Sequence, residues 1–257
     1  MPLKFKKPPI NELVIGTYFN PPLFEFRAEH VGLFWARIRK EYPKITQQLP
    51  VGAIIDAPGD IFPLPRFWIV SQNDSMLMQI QKNAFLFNWR KREEEYPHYD
   101  SVKSEFDRFY LEFSDFIRDE VKIPIVSIEV LELTYVNLIT ECEYWKAPAD
   151  TRNVFPSFQF VEMGIDDSAP TDFTHTVIYQ IDDQLSIQMK IQIVHPAKQP
   201  THSNLRFEFR ATGRLGGAAK SDADKWFDRA HEAIGHCFRV ATNPDVQNKY
   251  WQPMEQT

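Results

Sequence analysis

The run Leu185-Ser-Ile-Gln-Met-Lys-Ile-Gln-Ile193 constrains this chain more than any other stretch. Leu185, Ile187, Met189, Ile191 and Ile193 alternate with Ser186, Gln188, Lys190 and Gln192. A strand sends successive side chains to opposite faces, so this pattern predicts a strand with one dry side and one wet side. Thr176-Val-Ile-Tyr-Gln-Ile precedes it across a turn at Asp182-Asp183, and Leu205-Arg-Phe-Glu-Phe-Arg210 follows with the same alternation. Arginine and glutamate at every second position cannot be buried under helices without leaving charge unpaired. A sheet covered on one side and open on the other is therefore expected.

The remainder of the chain supplies the covering helices. Val102, Phe106, Phe109, Phe113, Phe116 and Ile117 recur at three and four residues, which predicts a helix over 99–121 lying on a sheet. Asp100 or Ser101 is positioned to cap its start, and Pro124 to follow its end. Similar spacing predicts helices over 23–42 and 222–241. Strands are expected over 12–19, 67–70, 76–81, 83–90 and 125–140. Residues 44–65, 141–170 and 213–221 read as connections. The 21 phenylalanines supply a bulky aromatic core, whereas only 9 glycines speak against glycine-rich phosphate loops.

The hairpin around Asn73-Asp74 aligns with the hairpin around Asp182-Asp183. Met76, Met78 and Ile80 then fall where Leu185, Ile187 and Met189 stand. Phe87-Asn-Trp-Arg90 is echoed by Phe207-Glu-Phe-Arg210, and a helix follows each. The fold expected is α+β: two related halves, residues 1–122 and 123–257, forming one curved, largely antiparallel sheet with the long helices packed on one face.

Pro8-Pro9-Ile10-x-Glu12 before a strand, His30-x-Gly32-x-Phe34-Trp35, Glu41-Tyr42-Pro43, and the helical Ala230-His231-x-x-Ile234-x-x-x-Phe238 carry a resemblance. In these motifs the chain resembles a sporadically distributed family of uncharacterised bacterial proteins. Sporadic distribution implies horizontal transfer, as in defence and toxin-antitoxin cassettes. The resemblance implies a context and no catalytic residue.

Known chemistry has little foothold in the residues themselves. His231 and His236 stand five apart, about 140° around a helix, whereas a zincin pair needs four. No metal site and no cofactor is expected. Cys142 and Cys237 belong to no ligand pattern and read as free thiols. The net charge of −6 disfavours general binding to nucleic-acid phosphates. The basic N-terminus lacks the apolar run of a signal peptide, and no segment approaches bilayer length, so a cytoplasmic location is expected. His175 and His202 with nearby carboxylates leave a dispersed catalytic site open as one alternative. The leading expectation is a non-enzymatic protein that binds a protein partner through the open face, at Gln79, Gln81, Gln188, Lys190, Gln192, Arg206 and Arg210, and through the proline-containing loop 44–65. A nucleic-acid binder using the local basic groups is the other alternative, and the same face could equally serve as a homo-oligomer contact.

Overall fold

The computed structural model describes residues 4–50, 64–123, 127–161, 170–199, 201–218 and 220–254. The elements in order are β1 (Ile10–Phe19), α1 (Ala28–Ile38), β2 (Lys44–Gln48), β3 (Arg66–Val70), β4 (Met76–Gln81), β5 (Ala84–Arg90), α2 (His98–Phe116), β6 (Ile128–Ile139), α3 (Thr151–Val154), β7 (Thr174–Asp182), β8 (Leu185–Val194), β9 (Asn204–Ala218), α4 (Lys220–Ala241) and α5 (Pro244–Val246). The fold is α+β, with one nine-stranded sheet in the order β2-β3-β4-β5-β1-β6-β9-β8-β7. Every described strand register is antiparallel. No described helix is long and apolar enough to cross a membrane.

The chain divides into two compact units. One comprises Glu12–Leu133 with Thr212–Phe227, and is called the N-terminal unit. The other comprises Met1–Asn11, Thr134–Ala211 and Asp228–Thr257, and is called the C-terminal unit.

The core of the N-terminal unit is aromatic. Odd-numbered residues of β5 point at α2: Phe85 lies 5.2 Å from Phe113 and 6.1 Å from Phe106, and Phe87 lies 6.0 Å from Phe109. The spacing that places Phe106, Phe109 and Phe113 on one side of α2 is what lets each meet a β5 ring. Helix α1 covers the outer side of the same cluster, with Phe34 5.4 Å from Phe113 and 5.5 Å from Phe116. Where the sequence spacing predicts a helix over 23–42, the helix spans only Ala28–Ile38. The His30 ring accepts the Arg27 backbone N–H at its start, and the Trp35 indole donates to the Tyr42 carbonyl beyond its end. Leu23 and Phe26 are buried from the preceding loop instead. Helix α2 begins at His98 behind Pro97, so Asp100 lies inside the first turn rather than at the cap. Pro124 lies outside the described residues.

Two expected connections contain strands. Lys44–Gln48 forms β2, paired antiparallel to β3 from Lys44↔Val70 to Gln48↔Arg66. Ile45 is its only strongly apolar residue, so pairing holds it rather than alternation. The loop expected over 213–221 is overturned: β9 runs through Gly213, Gly216 and Gly217 to Ala218 before α4 begins at Lys220. Glycine relaxes local preference, and the ladder of neighbouring strands decides. Residues 51–63, the centre of the expected long connection, lie outside the described residues.

In the C-terminal unit, β9 turns Phe207 and Phe209 toward α4, where Phe238 lies 6.1 Å from each. Phe238 also meets Phe5 at 5.6 Å and Trp251 at 5.1 Å, which ties both ends of the described chain to this core. Gln247, 5% exposed, donates to the Arg239 and Thr242 carbonyls and satisfies free acceptors at the end of α4.

Candidate functional site

The alternation of β8 and β9 produces a clear division of faces in the C-terminal unit. Ile187, Ile191, Leu205, Phe207 and Phe209 are at most 1% exposed. Their neighbours Gln188, Lys190, Gln192, Arg206, Glu208 and Arg210 are half-buried. Arg206 forms a 2.9 Å ion pair with Glu208. Lys190 has no ion-pair partner among the described residues and stands opposite Thr176 of β7. The face therefore presents amides, the Lys190 ammonium, the Arg206 guanidinium held by Glu208, and Arg210, whose Nε is shut off from solvent.

Gln79 and Gln81 are in a different situation, 6% and 3% exposed. The Gln79 carbonyl oxygen accepts from Arg66 Nη1 at 2.6 Å and from the Trp68 indole at 3.1 Å. Its amide donates to Asn88 Oδ1 at 2.8 Å, and Asn88 donates to Glu12 Oε1 at 2.7 Å. Gln81 donates to Asn83 Oδ1 at 2.6 Å. These amides are not on an open face; Gln79 in particular belongs to an internal network across β1, β3, β4 and β5, where hydrogen bonds compensate its burial. The guanidinium groups of Arg66 and Arg90 each lie 5.6 Å from the Trp68 ring. Burial, with too little compensation from nearby anions, holds both below the ordinary guanidinium range.

A feature that sequence reading missed lies on the dry side of the C-terminal unit. A groove of about 480 Å³ runs between the outer strands and the last turns of α4. His175, Val177, Tyr179 and Ile181 form its β7 wall, and His236, Cys237, Val240 and Ala241 its α4 wall. Ile187, Met189, Ile191 and Phe209 form its floor, and Phe155, Ser157 and Phe158 close one end. No carboxylate, lysine or arginine lines it. Strand β7 is the last strand of the sheet, with Ile178 66%, Tyr179 48% and Ile181 46% exposed. The available signal was Thr-Val-Ile-Tyr-Gln-Ile itself: neutral, β-branched, and without the lysine or proline that protects an edge.

The histidines have separate partners, although His175 and His236 line opposite walls of the groove. His231 shares a 2.8 Å hydrogen bond with the Tyr135 hydroxyl and stacks on that ring. His236 Nδ1 lies 3.4 Å from an Arg239 nitrogen. His175 packs edge-on against Phe158, while His202 offers its carbonyl to His195. Among the described residues no three histidine, cysteine or acidic side chains are placed to hold a metal ion.

No family model matches the sequence, and no curated protein matches it.

Cys142 and Cys237 are both unpaired and half-buried. Burial pushes the Cys237 thiol above its ordinary value. Because the thiolate is the reactive form, alkylation of Cys237 by iodoacetamide at neutral pH is expected to run roughly tenfold slower than that of a free cysteine. The rate should climb as pH rises past the thiol's ordinary range. Site-resolved mass spectrometry checks this, and rapid, pH-independent labelling would contradict it.

Proposed function

We propose that this protein is a non-enzymatic, protein-binding component that acts by holding a protein partner against the half-exposed polar row of β8 and β9. The observation that carries the reading is the contrast within single strands. Ile187 and Ile191 are fixed in the core, so Gln188, Lys190 and Gln192 are presented at fixed spacing with little freedom to lose on binding. Amide groups held this way suit a peptide or protein surface. The Arg206–Glu208 pair favours a protein over a phosphate backbone, since it neutralises part of the local basic charge. The groove supports the same class of function, because its lining is apolar and uncharged. A place in a bacterial accessory cassette, of the defence or toxin-antitoxin kind, rests on the resemblance of the N- and C-terminal motifs alone.

We infer further that the two halves are copies of one ancestral unit in a curved sheet. The strand order supports this: β1 is followed outward by β5, β4 and β3, and β6 by β9, β8 and β7, the same rule in both directions. The paired hairpins β3-β4 and β7-β8 occupy equivalent places in that order.

The test uses the full chain, tagged and expressed with its neighbouring genes at the native locus. A partner should co-purify, and Lys190→Glu combined with Gln192→Lys should reduce its recovery at least about tenfold while leaving the fold intact. Recovery unchanged by the double variant would overturn this surface. Salt-sensitive retention of DNA or RNA in place of a protein would replace the reading with nucleic-acid binding.

A further inference from the structure

The sheet ends differently at its two edges. Strand β2 is five residues long and carries Lys44, Thr46, Gln47 and Gln48, with Lys44 bound to Asp74 at 3.0 Å. Short length and a lysine are the ordinary defences of an edge. Strand β7 has nine residues and no lysine, and its one register shift lies at the Gln180/Asp182 end, leaving Thr174–Gln180 regular. Its backbone has a defined polarity. The Ile193 N–H donates to the Phe173 carbonyl at 3.1 Å, and the register continues through His175↔Ile191, Val177↔Met189 and Tyr179↔Ile187. In an antiparallel ladder hydrogen-bonded pairs recur at every second residue. The odd-numbered residues therefore spend their N–H and C=O on β8, and Thr176, Ile178 and Gln180 aim theirs outward.

We propose that β7 pairs with β7 of a second copy of this chain, antiparallel, about a two-fold axis normal to the sheet at Ile178. Symmetry and the overlap of the two edges together select this register. Two identical edges can pair antiparallel only about an axis normal to the sheet, so one residue must face its own image. Either a hydrogen-bonded or a non-hydrogen-bonded pair can lie on that axis, so the overlap of the two edges decides among the candidates. Ile178 is the midpoint of Thr174–Asp182, and centring there gives the greatest overlap, with the regular run Thr176–Gln180 paired on itself. Thr176 then faces Gln180, beyond which the register shift toward Asp182 ends the regular pairing. On the groove side Val177 faces Tyr179. Apolar groups meet apolar or aromatic ones, and no like charges stand opposed.

Charge explains why the occupant is a second copy. Each chain carries −6, so self-association requires a neutral contact surface. From Thr174 to Ile181 the strand has no acidic, lysine or arginine side chain, and the groove behind it has none either. At the strand end Asp182 is paired with Arg229, and Lys190 of β8, opposite Thr176, is the charge beside the edge. The strand is itself the neutral, β-branched ligand that its own edge accepts. Pairing through one strand covers less than the ~800 Å² per partner of a standard interface, so a dimer of micromolar rather than nanomolar affinity is expected.

The test is sedimentation equilibrium of the full chain, with two charge variants. Wild-type protein should dimerise at or below about 100 µM. Ile178→Lys and Ile178→Glu should each weaken the dimer at least about tenfold, because like charges then face each other across the axis. An equimolar mixture of the two should regain a heterodimer. If either charge disturbs folding, Ile178→Cys serves instead. Cα atoms of a hydrogen-bonded antiparallel pair lie about 5.5 Å apart, within disulfide reach. Oxidation should then join two chains through a disulfide between the two introduced thiols, seen as a cross-linked β7 peptide by mass spectrometry. A wild-type monomer at that concentration overturns the proposal, even if the edge captures an unrelated extended peptide. So does a dimer indifferent to either charge, or a mixture of folded variants that stays monomeric.

Discussion

Replacing Phe113 by alanine is expected to lower the free energy of unfolding by about 3–5 kcal/mol. Phe113 is 1% exposed and its ring meets four others: Phe85 at 5.2 Å, Phe34 at 5.4 Å, Phe26 at 5.8 Å and Phe19 at 6.4 Å. These rings come from β1, the loop before α1, α1 itself, and β5, so the side chain joins four segments of the N-terminal unit. Its removal deletes the transfer free energy of a phenyl group and leaves a cavity between elements too rigid to close it. A midpoint drop of roughly 10 °C should follow in thermal unfolding. Phe113→Leu, which retains most of the volume, should recover at least half of the loss. A Phe113→Ala protein with unchanged midpoint would mean that this cluster is not a core.

The second large effect involves Lys103, whose side chain is 11% exposed. Its ammonium donates to both Asp107 oxygens at 2.8 and 2.7 Å and to Asp224 Oδ1 at 2.8 Å. It also lies 5.5 Å from the Phe227 ring. Lys220 bridges the same two carboxylates at 3.0 and 2.9 Å. Lys103→Met keeps the aliphatic stem and removes the charge, leaving two carboxylates on one lysine. A loss of about 1–3 kcal/mol is expected, less than for a sealed pair because Asp107 and Asp224 remain 33% and 41% exposed. Asp224→Asn in the same background should cost less than it does alone, the signature of direct coupling.

The cluster also has a pH signature. Burial alone would raise the Asp224 carboxyl, but hydrogen bonds and attraction from Lys103 and Lys220 outweigh it and hold the group below the ordinary aspartate range. A carboxylate depressed in the folded state stabilises that state above its unfolded value, near 3.9. The contribution disappears as pH falls through the lower folded value. Wild-type stability should therefore decline below about pH 4, and Asp224→Asn should flatten that decline. Denaturant midpoints measured from pH 6 to pH 2 decide it. At the alkaline end, burial would lower the Lys220 ammonium, but its bonds to Asp224 and Asp107 raise it overall. Its contribution is present below the ordinary lysine range and is lost as pH climbs through the raised value.

Much of the architecture could be read from local pattern. The alternation in Leu185–Ile193 and Leu205–Arg210 appears as β8 and β9 with their dry rows buried. The phenylalanine stripe of 99–121 appears as α2, whose last turn, Ile117–Val121, widens to a π-helix. Reading failed where pairing overrides local preference. Lys44–Gln48 has almost no apolar signal, and Gly213–Ala218 reads as a loop, yet both lie in ladders. It failed again at Gln79, where the polar parity of β4 was correct but the inference that polar means open was not. Arg66, Trp68 and Asn88 occupy that amide instead of water.

What the chain determines residue by residue is the period of each segment, because alternate placement in a strand and the 3.6-residue turn of a helix follow from backbone geometry alone. That was enough to specify an α+β protein with antiparallel strands. Which polar row meets solvent, which strand is left without a neighbour, and where an apolar groove opens were decided only by tertiary packing. Those properties depend on contacts between residues far apart in sequence, and no local period encodes what will lie above a face or beside an edge.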